Sequence, residues 1–161
     1  SEATIVSRKI LPARQSLTLQ ASAGGSLVDS LQNDKRHMTS HLAHDIQERI
    51  EEILTRIEMP HVNARFIRSI RSHGSKTQAR ARIWSFPSVW QIALSIKPHY
   101  VIEVISERFD KLPLEEQTKI LIHELLHIPK TFSGALRPHR TRYFRLHREV
   151  ERFFRQYLKT E

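Results

Sequence analysis

The stretch KILIHELLHI, residues 119–128, sets two histidines four apart with a glutamate directly after the first. On a helix of 3.6 residues per turn, His123 and His127 project from one face, close enough to share an ion, and Glu124 lies beside them. Two neutral imidazoles and a third protein ligand leave one position of a tetrahedral zinc ion open for water, whose proton an adjacent carboxylate can take. That is the chemistry of metal-assisted peptide hydrolysis. Ile120, Leu121, Ile122, Leu125, Leu126 and Ile128 leave this segment almost no polar face apart from Lys119 and the three motif residues, which assigns it to the core. Burying two imidazoles and a carboxylate without partners costs on the order of several kcal/mol, and metal ligation satisfies all three together.

The chain has no cysteine, so thiolate ligands and disulfides are excluded and the remaining ligand must be His, Asp or Glu. Past the helix the sequence reads PKTFSGALRPHR, with Gly134 permitting a turn and Pro138 able to open another helix just before His139. His139 returns after a loop of eleven residues and is the expected third ligand. His147, Glu149 and Glu151 are the alternatives, Glu149 being the serious rival although it stands beside the apolar stripe of the last helix.

A length of 161 residues with 39% hydrophobic and 27% charged residues fits one soluble domain, and no apolar run approaches the length of a membrane span. Net charge is +9, and it is segregated. Residues 61–102 hold seven Lys or Arg and no acid, 103–124 hold six acids, and 137–159 hold eight Lys or Arg against Glu149 and Glu151. Such a balance attracts anionic partners, so Arg71, Arg80, Arg82 and the arginines of the C-terminal helix are candidate nucleic-acid contacts.

The positioning elements follow from periodicity. Residues 1–36 show no sustained period and read as a flexible or extended N-terminal arm in which 4–11 could pair as a strand, ahead of a domain at 37–161. A helix is expected from Thr39 or Ser40 to before Pro60, with Leu42, Ile46, Ile50, Ile53 and Ile57 as its stripe and His41 and His44 on the surface. A strand follows at 62–70, with Phe66 and Ile70 on one side and Arg65 and Arg71 on the other, then a turn at His73, Gly74 and Ser75. Residues 79–96 read as a strand through Trp84 and a helix afterwards, with Trp84, Phe86 and Trp90 either core residues or a stacking surface. The alternating, β-branched 100–106 is the clearest strand. Pro113 opens the motif helix, 113–128, with Glu115 and Glu116 in its positive first turn. The last helix, 138–158, buries Tyr143, Leu146, His147, Val150, Phe153, Phe154 and Tyr157.

Around HELLHIPKTFSGALRPHR the sequence resembles the small phage-type metallopeptidases, also found in archaea and bacteria, which belong among the zincins and look similar to SprT-like proteases. Upstream, YVIEVISERFDKLPLEEQTKILIHELLH keeps the zincin order of strand, loop and helix, and RSIRSHGSKTQARARI also looks family-like, so the resemblance runs from about Phe66 to the end. It implies zinc on His123 and His127, Glu124 as base, and His139 from the RPH element as third ligand. Two departures matter. The third histidine lies too far along for HExxHxxGxxH, and Met38 and Met59 both precede the helix, which excludes a metzincin. A gluzincin would use Glu149.

The expectation is therefore an α+β, single zincin-like domain: a small mixed sheet, a backing helix, the central HExxH helix and a C-terminal helix. It would act as a cytoplasmic zinc metallopeptidase on protein or peptide substrates, without a membrane. Glu124 would deprotonate the zinc-bound water and pass the proton to the leaving amine, with Tyr143 as a helper at the oxyanion, and the strand at 100–106 or a neighbour would pair with substrate. Two other readings stay open: nucleic-acid binding, with structural zinc or with proteolysis confined to DNA-bound proteins, and a zinc-holding scaffold without turnover.

Overall fold

The computed structural model describes residues 38–139 and 145–160. The expected arm at 1–36, its strand at 4–11, and Tyr143 lie outside them. Four strands form one mixed sheet in the order β1-β2-β4-β3: β1 Thr39–Leu42, β2 Ile67–His73, β3 Ala81–Ser85 and β4 Tyr100–Ile105. The outer pairs are antiparallel and the central β2–β4 pair is parallel, in the register Ile67↔Tyr100. Five helices are described: α1 His44–Arg56, α2 Ser88–Leu94, α3 Ser106–Phe109, α4 Leu114–Leu126 and α5 Leu146–Lys159. This is the α+β architecture expected, and among the described residues no helix is long and apolar enough to cross a membrane.

The core lies on one face of the sheet. Ile67, Ala81, Ile102 and Val104 point from the strands toward Ile46, Ile50 and Ile53 of α1 and Leu121, Ile122 and Leu125 of α4. Leu146, Val150, Phe153 and Phe154 of α5 close it from the side of α4. Alternation along β4 makes this work, since Tyr100, Ile102 and Val104 share a face. Among the described residues no core helix packs on the opposite face. Its one acid among the strand residues, Glu103, is nonetheless only 3% exposed, because Ser72, Trp84 and Arg82 cover it.

Several elements differ from their expected form. Thr39 and Ser40 do not cap a helix; 39–42 pair with β2 as an edge strand, Leu42 is exposed on the bare face, and α1 begins at His44 after Ala43 without a side-chain cap. His41 and His44 are exposed, as expected. The strand expected at 62–70 starts only at Ile67, because the Asn63 side chain accepts the Arg65 N–H and winds Ala64–Phe66 into a 3-10 turn. Ile70 and Arg71 fall on opposite sides, as expected, and it is the arginine's row that meets the core. Ile67, Ser69 and Arg71 point to the helices, and Arg71 meets Asp45 and Asp110 there. Residues 81–96 do split into strand and helix, but the tryptophans are not core: Trp84 is 50% and Trp90 54% exposed, Phe86 is half-buried, and α2 buries none of its residues. Pro113 caps α4 rather than entering it, and the helix ends at Leu126, short of Ile128. The last helix does not open at Pro138; it starts at Leu146, and His147, one step off the apolar stripe, is exposed.

Candidate metal centre

Helix α4 supplies the first residues of the site. Its buried stripe of Leu121, Ile122 and Leu125 fixes the helix against the sheet, and this turns His123 and Glu124 toward β3. His127 follows as the residue at the helix end, with its N–H on the Glu124 carbonyl. Nε2 of His123 lies 3.3 Å from Nε2 of His127 and 3.3 Å from Nε2 of His139. One ligand atom from each of the three residues falls within 4.8 Å of the others. His127 is buried, His123 half-buried and His139 exposed.

His139 arrives by a loop that is fastened twice. Tyr100, fully buried in β4, accepts the Gly134 N–H at 2.9 Å and donates its hydroxyl to the Ala135 carbonyl at 3.0 Å. Gly134 has φ +86, and a Cβ there would strike the Gln91 amide, so the turn requires glycine. Three residues on, Arg137 donates its N–H to the His127 carbonyl at 2.7 Å and accepts His127 Nδ1 on its own carbonyl at 2.6 Å. The pairing explains why Pro138 opens no helix, since the neighbouring backbone groups are already committed to the end of α4.

A carbonyl only accepts, so the contact to Arg137 places the His127 proton on Nδ1 and leaves the Nε2 lone pair directed at the cluster. Burial, and then the neighbouring His127 and His139, pushes His123 down to about 4. Burial likewise lowers His127, against the pull of the Arg137 carbonyl. Neutral imidazoles are the form that ligates. A tetrahedral ion with N–metal distances of about 2.0–2.1 Å separates its nitrogens by about 3.3 Å, which is the spacing found here. The three nitrogens therefore fit a metal ion, and an all-imidazole set without hard oxygen suits a transition metal of the zinc, copper, iron or nickel kind better than magnesium or calcium.

Glu124 is 8% exposed, and burial raises its carboxyl to about 7 even though the Ile83 N–H donates to it. Its partner is on β3, which has β4 on one side and, among the described residues, no strand on the other. A cleft of about 510 Å³ runs between this strand and the loop, bounded by Ala81, Ile83, Leu136 and the three histidines. A second hollow of about 660 Å³ continues past His123 and Glu124 toward Arg80, Lys119 and Glu151. The strand at 100–106 cannot offer a pairing edge, because β4 lies between β2 and β3; its neighbour β3 can.

The other candidate ligands lie apart from this convergence. Glu149 binds Arg152 at 2.7 Å, and Glu151 meets Lys119 at 3.2 Å. His147 is exposed and lines the hollow past His123 and His139 as well as, with Glu149, a basic hollow containing His61, Lys130 and Arg148, but it is not one of the three converging residues. Tyr100, Arg137 and Ile83 support the site, yet sequence reasoning assigned none of them a role in it. Only Gly134 left a local signal, as a turn.

No curated protein and no solved structure matches the chain. The profile of the family described as "Putative phage metallopeptidase" matches residues 38–157, which take in the whole sheet, the HELLH helix and the loop bearing His139. A match over that much of the chain, centred on three converging imidazoles and a buried carboxyl, makes it a member of this phage metallopeptidase family.

Proposed function

We propose that the protein is a zinc-dependent peptidase in which His123, His127 and His139 hold the ion and Glu124 is the general base. The observation carrying this reading is the convergence of three Nε2 atoms beside a buried carboxyl, under the free edge of β3. A zinc ion bound there supplies Lewis acidity to a water molecule and to the substrate carbonyl. The remaining work falls to the chain. Glu124, buried beside the three histidines, is placed to take a proton from the attacking water and return it to the leaving amine. The Ile83 N–H orients that carboxyl, and the free groups of β3 bind an extended peptide by strand addition, which reads backbone more than side chains.

The test is turnover of a denatured protein substrate by the zinc-loaded chain and by Glu124→Gln. The variant should keep its zinc and lose about 10²–10⁴-fold in rate, the usual worth of a general base. Undiminished hydrolysis by Glu124→Gln would contradict the assignment.

A further inference from the structure

The sheet face opposite the histidines carries a second constellation. Across it the register aligns Trp84, Val101 and Arg68 in one row, and Arg82, Glu103, Ile70 and Leu42 in the next. Trp84 Nε1 donates to Glu103 at 2.7 Å, so the indole is held in place while half of its surface meets solvent. The Arg82 guanidinium lies 5.2 Å from the centre of that ring. Glu103 is spent internally: it accepts from Ser72 and Trp84 and pairs with Arg82, and it presents almost no charge outward. A shallow hollow of about 590 Å³ with Ile70, Val101 and Trp84 in its lining extends to Ser75 and Thr77.

Charge rims this apolar floor. Exposed Arg68 projects from this face where β2 begins, exposed Arg65 precedes it in the chain, and exposed Lys76 stands beside Ser75 and Thr77 at the other end. No acid occurs in 61–102, and Glu107, the acid at the Lys76 end, is engaged by the Gly74 N–H. Arg71, a candidate contact from sequence, belongs to the opposite face and is engaged by Asp45 and Asp110.

We propose that this bare sheet face binds single-stranded nucleic acid, with Trp84 as a stacking platform and Arg65, Arg68 and Lys76 as phosphate contacts. A fixed, half-exposed indole between cationic rims matches a polyanion whose bases are free to stack. A duplex hides the faces of its bases and would meet only the cations. Strand spacing puts Trp84 and Arg68 about 10 Å apart, so one short segment of chain can touch both. The proposal is independent of the peptidase reading, because no group of the metal centre takes part.

The experiment is fluorescence anisotropy with an end-labelled 20-nucleotide oligodeoxythymidylate and the full chain, from low to moderate salt. Binding should weaken steeply between 50 and 200 mM salt, and a duplex of equal length should bind more weakly. Arg68→Glu, an exposed change, should weaken binding about tenfold or more, whereas Arg148→Glu with Arg155→Glu on α5 should not. In Trp90→Phe only Trp84 remains as an indole, and its emission should be quenched on binding. Absence of binding at 50 mM salt, indifference to Arg68→Glu, unquenched Trp84, or loss of binding through the α5 variant instead would overturn the proposal. So would sedimentation in which the free chain self-associates and Arg68→Glu abolishes the association, since a second copy would then cover this face.

Discussion

Glu124 sits where its ionised form is disfavoured, and this has a measurable consequence for stability. Folded, its carboxyl holds a proton up to about pH 7; unfolded, it releases one near the ordinary 4.5. Between those values the folded state binds more protons, so this group makes stability fall as pH rises from 4.5 through 7. His123 acts in the other direction. Its folded pKa of about 4 lies below the unfolded 6.5, the unfolded state binds more protons between them, and stability is lost as pH falls through that window. In metal-free protein Glu124→Gln should therefore match the wild type at pH 4 and exceed it at pH 8. The excess should approach about 3 kcal/mol, the equivalent of displacing the carboxyl to about 7. Urea unfolding at the two pH values checks this, and equal stability at pH 8 would show that the carboxyl is better solvated than its burial indicates.

At the scale of elements, the site depends on a strand, a helix end and a loop being fastened together. Tyr100→Phe removes one hydroxyl that serves both Gly134 and Ala135, leaving the buried Gly134 N–H without its partner at about 1–3 kcal/mol. Through the loop it should also loosen His139, and losses of 10–100-fold in metal affinity are usual for such supporting groups. Competition with a fluorescent zinc chelator measures the loss; unchanged affinity would mean that the loop is held without Tyr100. Gly134→Ala should be more damaging, because its Cβ meets Gln91 and the Phe86 carbonyl and its φ is positive. These ties also show what sequence could disclose. His123 and His127 were legible because i and i+4 on a helix are neighbours by local geometry alone. Tyr100 was not, because its hydroxyl reaches a backbone 34 residues away. The α+β class followed from strong periods in 100–105 and in α4. The faces of β2 did not, since its two alternating rows each hold one isoleucine, Ile67 in one and Ile70 in the other, and only the packing of Ile67 and the pairing of Arg71 with Asp45 and Asp110 decide which row meets the helices. The exposed Trp84 and Trp90 escaped because aromatic residues are ordinarily buried, and only the sheet's bare face and the protruding α2 overrule that expectation.

For the whole molecule, the metal centre couples the sheet, α4 and the loop before α5, so occupancy should be felt as stability. Free zinc at 100 times its dissociation constant adds about 2.7 kcal/mol, which for a domain of this size raises Tm by roughly 10 °C. A chelator should reverse the rise, as scanning calorimetry would record; a melting temperature indifferent to zinc would argue against a site formed only in the folded state. The central claim is tested most directly by elemental analysis of zinc per chain in the wild type, His139→Ala and Glu149→Ala, purified without chelators and with zinc supplied. The account predicts about one zinc in the wild type and in Glu149→Ala, and loss of the metal in His139→Ala. Zinc that departs with Glu149 and survives His139→Ala, or no zinc in the wild type at all, would contradict it.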